Sequence, residues 1–156
     1  MGLLNASFRP PAAICAVRSL MRHRESLMRA ACQHLLRVPK ALDQMNVQLH
    51  HAVTDITGVT GLAILDAIVA GERDPKVLAS HRDARCKKSE AQIAKALHGD
   101  WREEHLFTLR QSLEAWRFHQ SQMAECDKRI AAQMDALEDC GDGPAPPSTK
   151  QGAKAA

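Results

Sequence analysis

Residues 12–52, "AAICAVRSLMRHRESLMRAACQHLLRVPKALDQMNVQLHHA", decide the fold class. Apolar side chains recur there on a seven-residue ladder, with Ile14, Met21, Met28, Leu35, Leu42 and Leu49 on one rung. Val17, Ala31, Val38, Met45 and Ala52 form the other, which only Arg24 breaks. A repeat of 3.5 residues keeps one stripe of a helix facing a partner, so the ladder reads as a long α-helix with a coiled-coil seam. Pro10-Pro11 form a natural start, because the first helical turn has no use for the N–H that proline lacks. Pro39 falls inside the pattern, where it removes a backbone donor and crowds the preceding turn. The expectation is a kink near Arg37 to Lys40, or a break into two helices.

A second ladder runs from about Arg102 to Glu138. Leu109, Trp116, Met123, Ile130 and Leu137 make one row, and Leu106, Leu113 and Met134 the other, with Gln120 and Asp127 as polar exceptions. The two seams can satisfy each other by folding back into an antiparallel hairpin. Each can also pair with another chain, and a dimer would do both. If Leu49 lies near Arg102, position sums near 151 set Arg24 opposite Asp127. A slip of one heptad would bring Met134 or Gln120 there instead.

Between the seams, "DITGVTGLAILDAIVAGERDP", Asp55 to Pro75, reads as a tight turn opening a short buried helix. Gly58 and Gly61 either adopt positive φ or let another backbone approach closely. Three short helices are expected: Gly61 to Ala70, Pro75 to Ser80 with Asp74 as N-cap, and Ser89 to Leu97 with Ser89 near its start. The segment at about 54–101 is thus a helical insert capping one end of the hairpin. Residues 1–11 are a lead-in and 12–139 the helical domain. The ending "CGDGPAPPSTKQGAKAA", 140–156, has no large apolar residue and reads as a disordered linker or tail.

Composition agrees with an all-α chain. Aromatics make up 3% of the 156 residues and Tyr is absent, so the core must come from aliphatic side chains and Met, which suits helix packing better than a sandwich or barrel. No run of β-branched residues bounded by turn signals offers a strand. The five cysteines, Cys15, Cys32, Cys86, Cys126 and Cys140, contain no C-x-x-C pair and no secretory leader precedes them, which points to a reducing cytoplasm. The strongest apolar run, around Leu62 to Ala70, is far below the roughly 20 residues that span a bilayer, so no membrane partner is expected.

The formal charge of +3 is unevenly spread. Residues 1–53 carry seven Lys/Arg against two acids, 54–101 balance at seven each, and 102–139 carry five against eight. Arg18, Arg22, Arg29, Arg37 and Lys40 fall outside the apolar rungs and form a basic outer face, either ordinarily solvated or in contact with phosphate. The glycine turn offers free N–H groups to a phosphate, but its glycines have two residues between them where a helix-hairpin-helix has one. A purely structural turn is the competing reading. Trp101 and Trp116 could stack on bases, although Trp116 belongs to the seam. His50-His51 diverge on a helix, and His119 and Cys126 stand two turns apart, so neither pair chelates one ion and the latter flank the seam.

As connected text, the stretch "MNVQLHHAVTDITGVTGLAILDAIVAGERDPKVLASHRDARCKKSEAQIAKALHGDWREEHLFTLRQSLEAWRFHQSQMAECDKRIAAQM" resembles the middle of a family of bacterial insertion-sequence transposases. These are DEDD-type enzymes with an N-terminal RuvC-like domain, a central coiled coil and a C-terminal domain bearing a serine nucleophile. "LLNASFRPPAAICAVRSLMRHRESL" is similar to the exit from their first domain, so the resemblance spans roughly residues 3–139. It implies a protein that works on DNA guided by a structured RNA, as a homo-oligomer. By the family's pattern its four carboxylates hold a divalent metal, Mg²⁺, and lie upstream of the matching segment; its serine lies downstream. No catalytic residue and no metal ligand transfers to this sequence, so no cofactor is assigned to the chain itself.

The resulting expectation is a truncated transposase segment that supplies dimerisation and nucleic-acid contacts through Arg18, Arg22, Arg29, Arg37, Lys40, Gly58 and Gly61, inactive by itself. Met1 falling mid-protein relative to the family favours truncation. A free-standing helical adaptor that only binds proteins is the alternative.

Overall fold

The computed structural model describes residues 11–141 and contains six helices and no strand among them. They are α1 (Ala12–Gln44), α2 (Leu49–Ala52), α3 (Val59–Ala70), α4 (Pro75–Ala79), α5 (Glu90–Ala96) and α6 (Glu103–Gly141). The protein is all-α, as its periodicity predicts. The expected lead-in before Pro11 and the tail beyond Gly141 lie outside the described residues, and α6 itself takes in Cys140 and Gly141.

The chain forms two units. One joins the start of α1, to Glu25, with the end of α6, from Ala124; the other comprises Ser26 to Met123. In the first unit Val17 and Cys126 are buried, and Arg24 on α1 is paired with Asp127 on α6. In the second, His34 meets His119 and the Met45 carbonyl accepts from Asp100 N at 2.7 Å, so the chain segments run antiparallel there.

The seam differs from the expected one. Val17, Ala31, Val38 and Met45 are buried as predicted, but Met21 and Met28 stay 56% and 44% exposed. Their place is taken by Leu27 and Ala41, which are buried, and by Leu20 and His34, which are half-buried. The contact stripe of α1 is therefore 17/24/31/38/45 with 20/27/34/41, a 3-4 alternation equally compatible with a heptad. On α6 the same holds: Leu109 and Met123 are buried with Ser112 and Cys126, while Gln120, Asp127 and Met134 are exposed. The sequence pattern misassigns these rungs because small and polar residues, Ser112, His119 and Cys126, sit where the helices approach.

Leu35 and Leu42, on the rung that is exposed earlier, turn inward near the cap, half-buried and fully buried respectively. One continuous core there contains Val38, Leu42, Met45 and Leu49 from the first ladder. It adds Ile64, Leu65 and Ile68 from α3, Leu78, Ile93 and Leu97 from the short helices, and Leu109 and Leu113 from α6. Extra helices cover more of α1's circumference at that end, so a wider stripe is apolar. α5 packs on α2 and α4, and α4 on α3.

The ladder from Ala12 to Ala52 is not one helix. α1 stops at Gln44, where Asn46 takes the left-handed conformation at φ 56°. Val47 N then donates to Leu42 O and Asn46 N to Asp43 O, both at 2.9 Å, which satisfies the last carbonyls in a Schellman motif. Leu49 and Ala52 are still buried, now from α2. Pro39, by contrast, causes no break: α1 continues through it. The lost hydrogen bond is tolerated because Val38, Ala41 and Leu42 are anchored in the core around it.

Candidate nucleic-acid interface

At 100° per residue, Arg18, Arg22, Arg29, Arg37 and Lys40 fall within an arc of about 100° on α1, roughly opposite the seam residues. All five are exposed. The other side of the helix is buried, which places these long cationic side chains on its exposed side. Arg18 and Arg22 belong to the first unit, and Arg29, Arg37 and Lys40 to the second.

In the second unit Arg37 and His34 line an open groove of about 540 Å³ against Phe107, Gln111, Glu114 and Phe118 of α6. Phe107 and Phe118 are 51% and 58% exposed. Trp101 and Trp116, the aromatics singled out from sequence, are both half-buried against the core. The face of Trp101 is occupied by the Arg73 guanidinium, 4.9 Å from the ring centre. Arg73 is fixed there by donating to Ile68 O at 2.6 Å and Glu72 O at 2.8 Å.

The glycine turn is built from the residues the sequence suggests, by the second of its two geometries. Gly58 is the N-cap of α3 with φ −72° and ψ 173°, and positive φ is confined, among the described glycines, to Gly71 at the far end of that helix. Gly61 is buried, and a Cβ on it would lie 2.7 Å from the Ile56 carbonyl carbon and 2.8 Å from Asp55 O. Close backbone approach, and not left-handed backbone, is what requires glycine at 61. Asp55 tightens the loop by accepting from Thr57 N at 2.9 Å and Thr57 Oγ1 at 2.7 Å. These bonds, the hydroxyl's first, hold the Asp55 carboxyl below its usual range. Gly61 is thus a packing element and its α-carbon faces protein.

Gly58 is brought together with residues the sequence reading passed over. It lines a second groove, about 330 Å³, with Val53, Thr60, Asp83, Arg85 and Lys87. The signal was available in "RDARCKKS", residues 82–89, four cations against one acid. Arg82 is structural: it donates to the Lys88 and Cys86 carbonyls and closes the loop on itself. Asp83 anchors the loop to α3 through its N–H on Thr60 Oγ1 at 3.0 Å. Its carboxyl is held below the usual range, first by the Arg85 N–H and then by the Arg85 side chain. Lys88 reaches the His51 carbonyl, and the exposed cations beside Gly58 are Lys87 and Arg85, the latter donating from Nε to Asp83 Oδ1 at 3.2 Å.

His50 and His51 are exposed, but their rings do not diverge as a helical pair was expected to: the centroids lie 4.1 Å apart. Among the described residues no group of three or more His, Cys, Asp or Glu is arranged to hold a metal ion, and no helix is long and apolar enough to cross a membrane. Comparison with family models, with curated proteins and with solved structures finds no match to the chain.

Proposed function

We propose that the chain acts as the coiled-coil segment of a DNA transposition protein of the DEDD type, contributing self-association and electrostatic contacts to nucleic acid and leaving strand-transfer chemistry to other domains. The observation that carries the reading is the outward basic side of α1, with Arg18, Arg22, Arg29, Arg37 and Lys40 all exposed opposite the seam. The continuous resemblance over roughly residues 3–139 supplies the family. Exposed cations on one side of a helix, within each unit, suit contact with phosphates, which need charge and spacing without base-specific geometry. Arg85 and Lys87 beside Gly58 add a second cationic site of the same kind.

The test is fluorescence anisotropy with a structured RNA hairpin and with duplex DNA, over a series of salt concentrations. Binding should weaken steeply with salt, and replacing the five α1 cations by Gln should reduce both affinity and salt slope. The competing reading, a helical adaptor for proteins only, is favoured by the exposure of Leu36, Phe107 and Phe118. It prevails if light scattering shows assembly while neither nucleic acid binds.

A further inference from the structure

His34 on α1 and His119 on α6 meet across the seam of the second unit, with ring centroids 5.3 Å apart and planes inclined by 33°. Both are half-buried. His119 Nδ1 lies 2.7 Å from the Ala115 carbonyl oxygen. A carbonyl can only accept, so Nδ1 carries the proton and the neutral ring keeps its lone pair on Nε2. The same bond fixes the ring, as a backbone carbonyl does for a metal-ligating histidine. Among the described residues, no hydrogen-bond partner takes His119 Nε2 or either nitrogen of His34.

We infer that His34 and His119 form a two-histidine clamp for a divalent transition-metal ion of the Zn²⁺ class, bridging the two helices. The separation of the rings carries the argument. A metal–nitrogen bond of about 2.0–2.1 Å puts the ion about 3.2 Å from each ring centroid, and a tetrahedral angle then sets the centroids about 5.2 Å apart. The observed separation of 5.3 Å meets that condition. The other histidine pair, His50 and His51, has centroids 4.1 Å apart on consecutive residues and fails the same condition.

His34 opens onto the 540 Å³ groove, from which water can complete the coordination. With no third protein ligand among the described residues, the clamp is an open site. Arg37 lines the same groove. Arg37 also repels a cation, while Glu114, on the same groove, offsets part of that charge. The affinity is therefore modest, and the consequence is a cross-link between α1 and α6 in this unit.

Thermal unfolding of the full chain with added ZnCl₂ tests the clamp. At a hundredfold excess over Kd the melting temperature should rise by about 5–10 °C. The rise should disappear in His34→Gln and in His119→Gln and persist in His51→Gln. If either variant fails to fold, long-range ¹H–¹⁵N spectra of the unmodified chain supply the same answer: Zn²⁺ should shift the ring nitrogens of His34 and His119 among the eight histidines. A rise that survives both substitutions, as binding at the cysteine thiols would produce, overturns the inference. So does a spectrum in which other rings, or none, respond.

Discussion

Arg24 and Asp127 form a two-point ion pair in which Nε donates to Oδ1 and Nη2 donates to Oδ2 at 3.2 Å. These are the two charged positions that interrupt the apolar rows of the ladders, and they lie opposite each other as the position sum of 151 requires. Parallel donation from the planar guanidinium to both carboxylate oxygens is directional, so it selects one register among those that apolar packing alone would accept. The side chains remain 38% and 52% exposed, which limits their contribution to stability and leaves register as the main role. In a double-mutant cycle of Arg24→Met and Asp127→Leu the two losses should be non-additive, and the coupling should shrink as salt is raised. Strict additivity would mean that the pair does not form in solution.

The placement of the seam is testable at two adjacent residues. Leu27 is 9% exposed and Met28 44%. Leu27→Ala should lower unfolding stability by about 2–4 kcal/mol through lost burial and the cavity left behind. Met28→Ala should stay within about 0.5 kcal/mol of the parent. Urea titrations giving the reverse order would restore the rung on which Met28 was expected to face the partner helix.

The glycine turn separates into a strict position and a lenient one. An alanine at 61 must push the Asp55 and Ile56 carbonyls apart, which should cost about 1–3 kcal/mol or more. At 58 the added Cβ meets Asp55 O at 3.2 Å and Asp55 Cβ at an ordinary 3.8 Å, and the backbone is extended, so Gly58→Ala should cost under about 1 kcal/mol. Equal melting temperatures for the two variants would contradict close approach as the reason for Gly61.

Acid should destabilise the fold through identifiable carboxylates. Asp127 is held low by the hydrogen bond from Arg24, Asp55 by Thr57, and Asp83 by Arg85. A carboxyl whose folded value is depressed contributes stability that is present above its unfolded value and lost as pH falls through the folded one. Melting temperature should therefore be flat near neutrality and decline below about pH 4, where free carboxylates begin to protonate. Asp55→Asn should flatten that decline, because the amide retains an acceptor for Thr57 N while no longer titrating. A variant with an unchanged acid limb would remove Asp55 from the account.

Periodicity alone determined that the chain is helical and approximately where its two long helices lie; it set Arg24 opposite Asp127 only on the condition that Leu49 lies near Arg102, and left a one-heptad slip open. Local chemistry likewise set the caps. Asp74 accepts from Lys76 N at 3.0 Å, and Ser89 forms a capping box with Gln92, because these contacts span three residues or fewer. Tertiary structure decided the rest. Which rung faces inward depends on what the partner presents, so Leu27 and Cys126 are buried while Met21 and Met134 are not. Pro39, expected to kink or break α1, leaves the helix unbroken with its neighbours held in the core, and a run of apolar spacing is cut at Asn46, where a cap closes the helix. The glycine at 61 is strict because of a carbonyl five residues earlier, and His34 meets His119 across 85 residues of chain only once the second unit has folded. Sequence period reports where side chains point on an isolated helix; it does not contain the surface they point at.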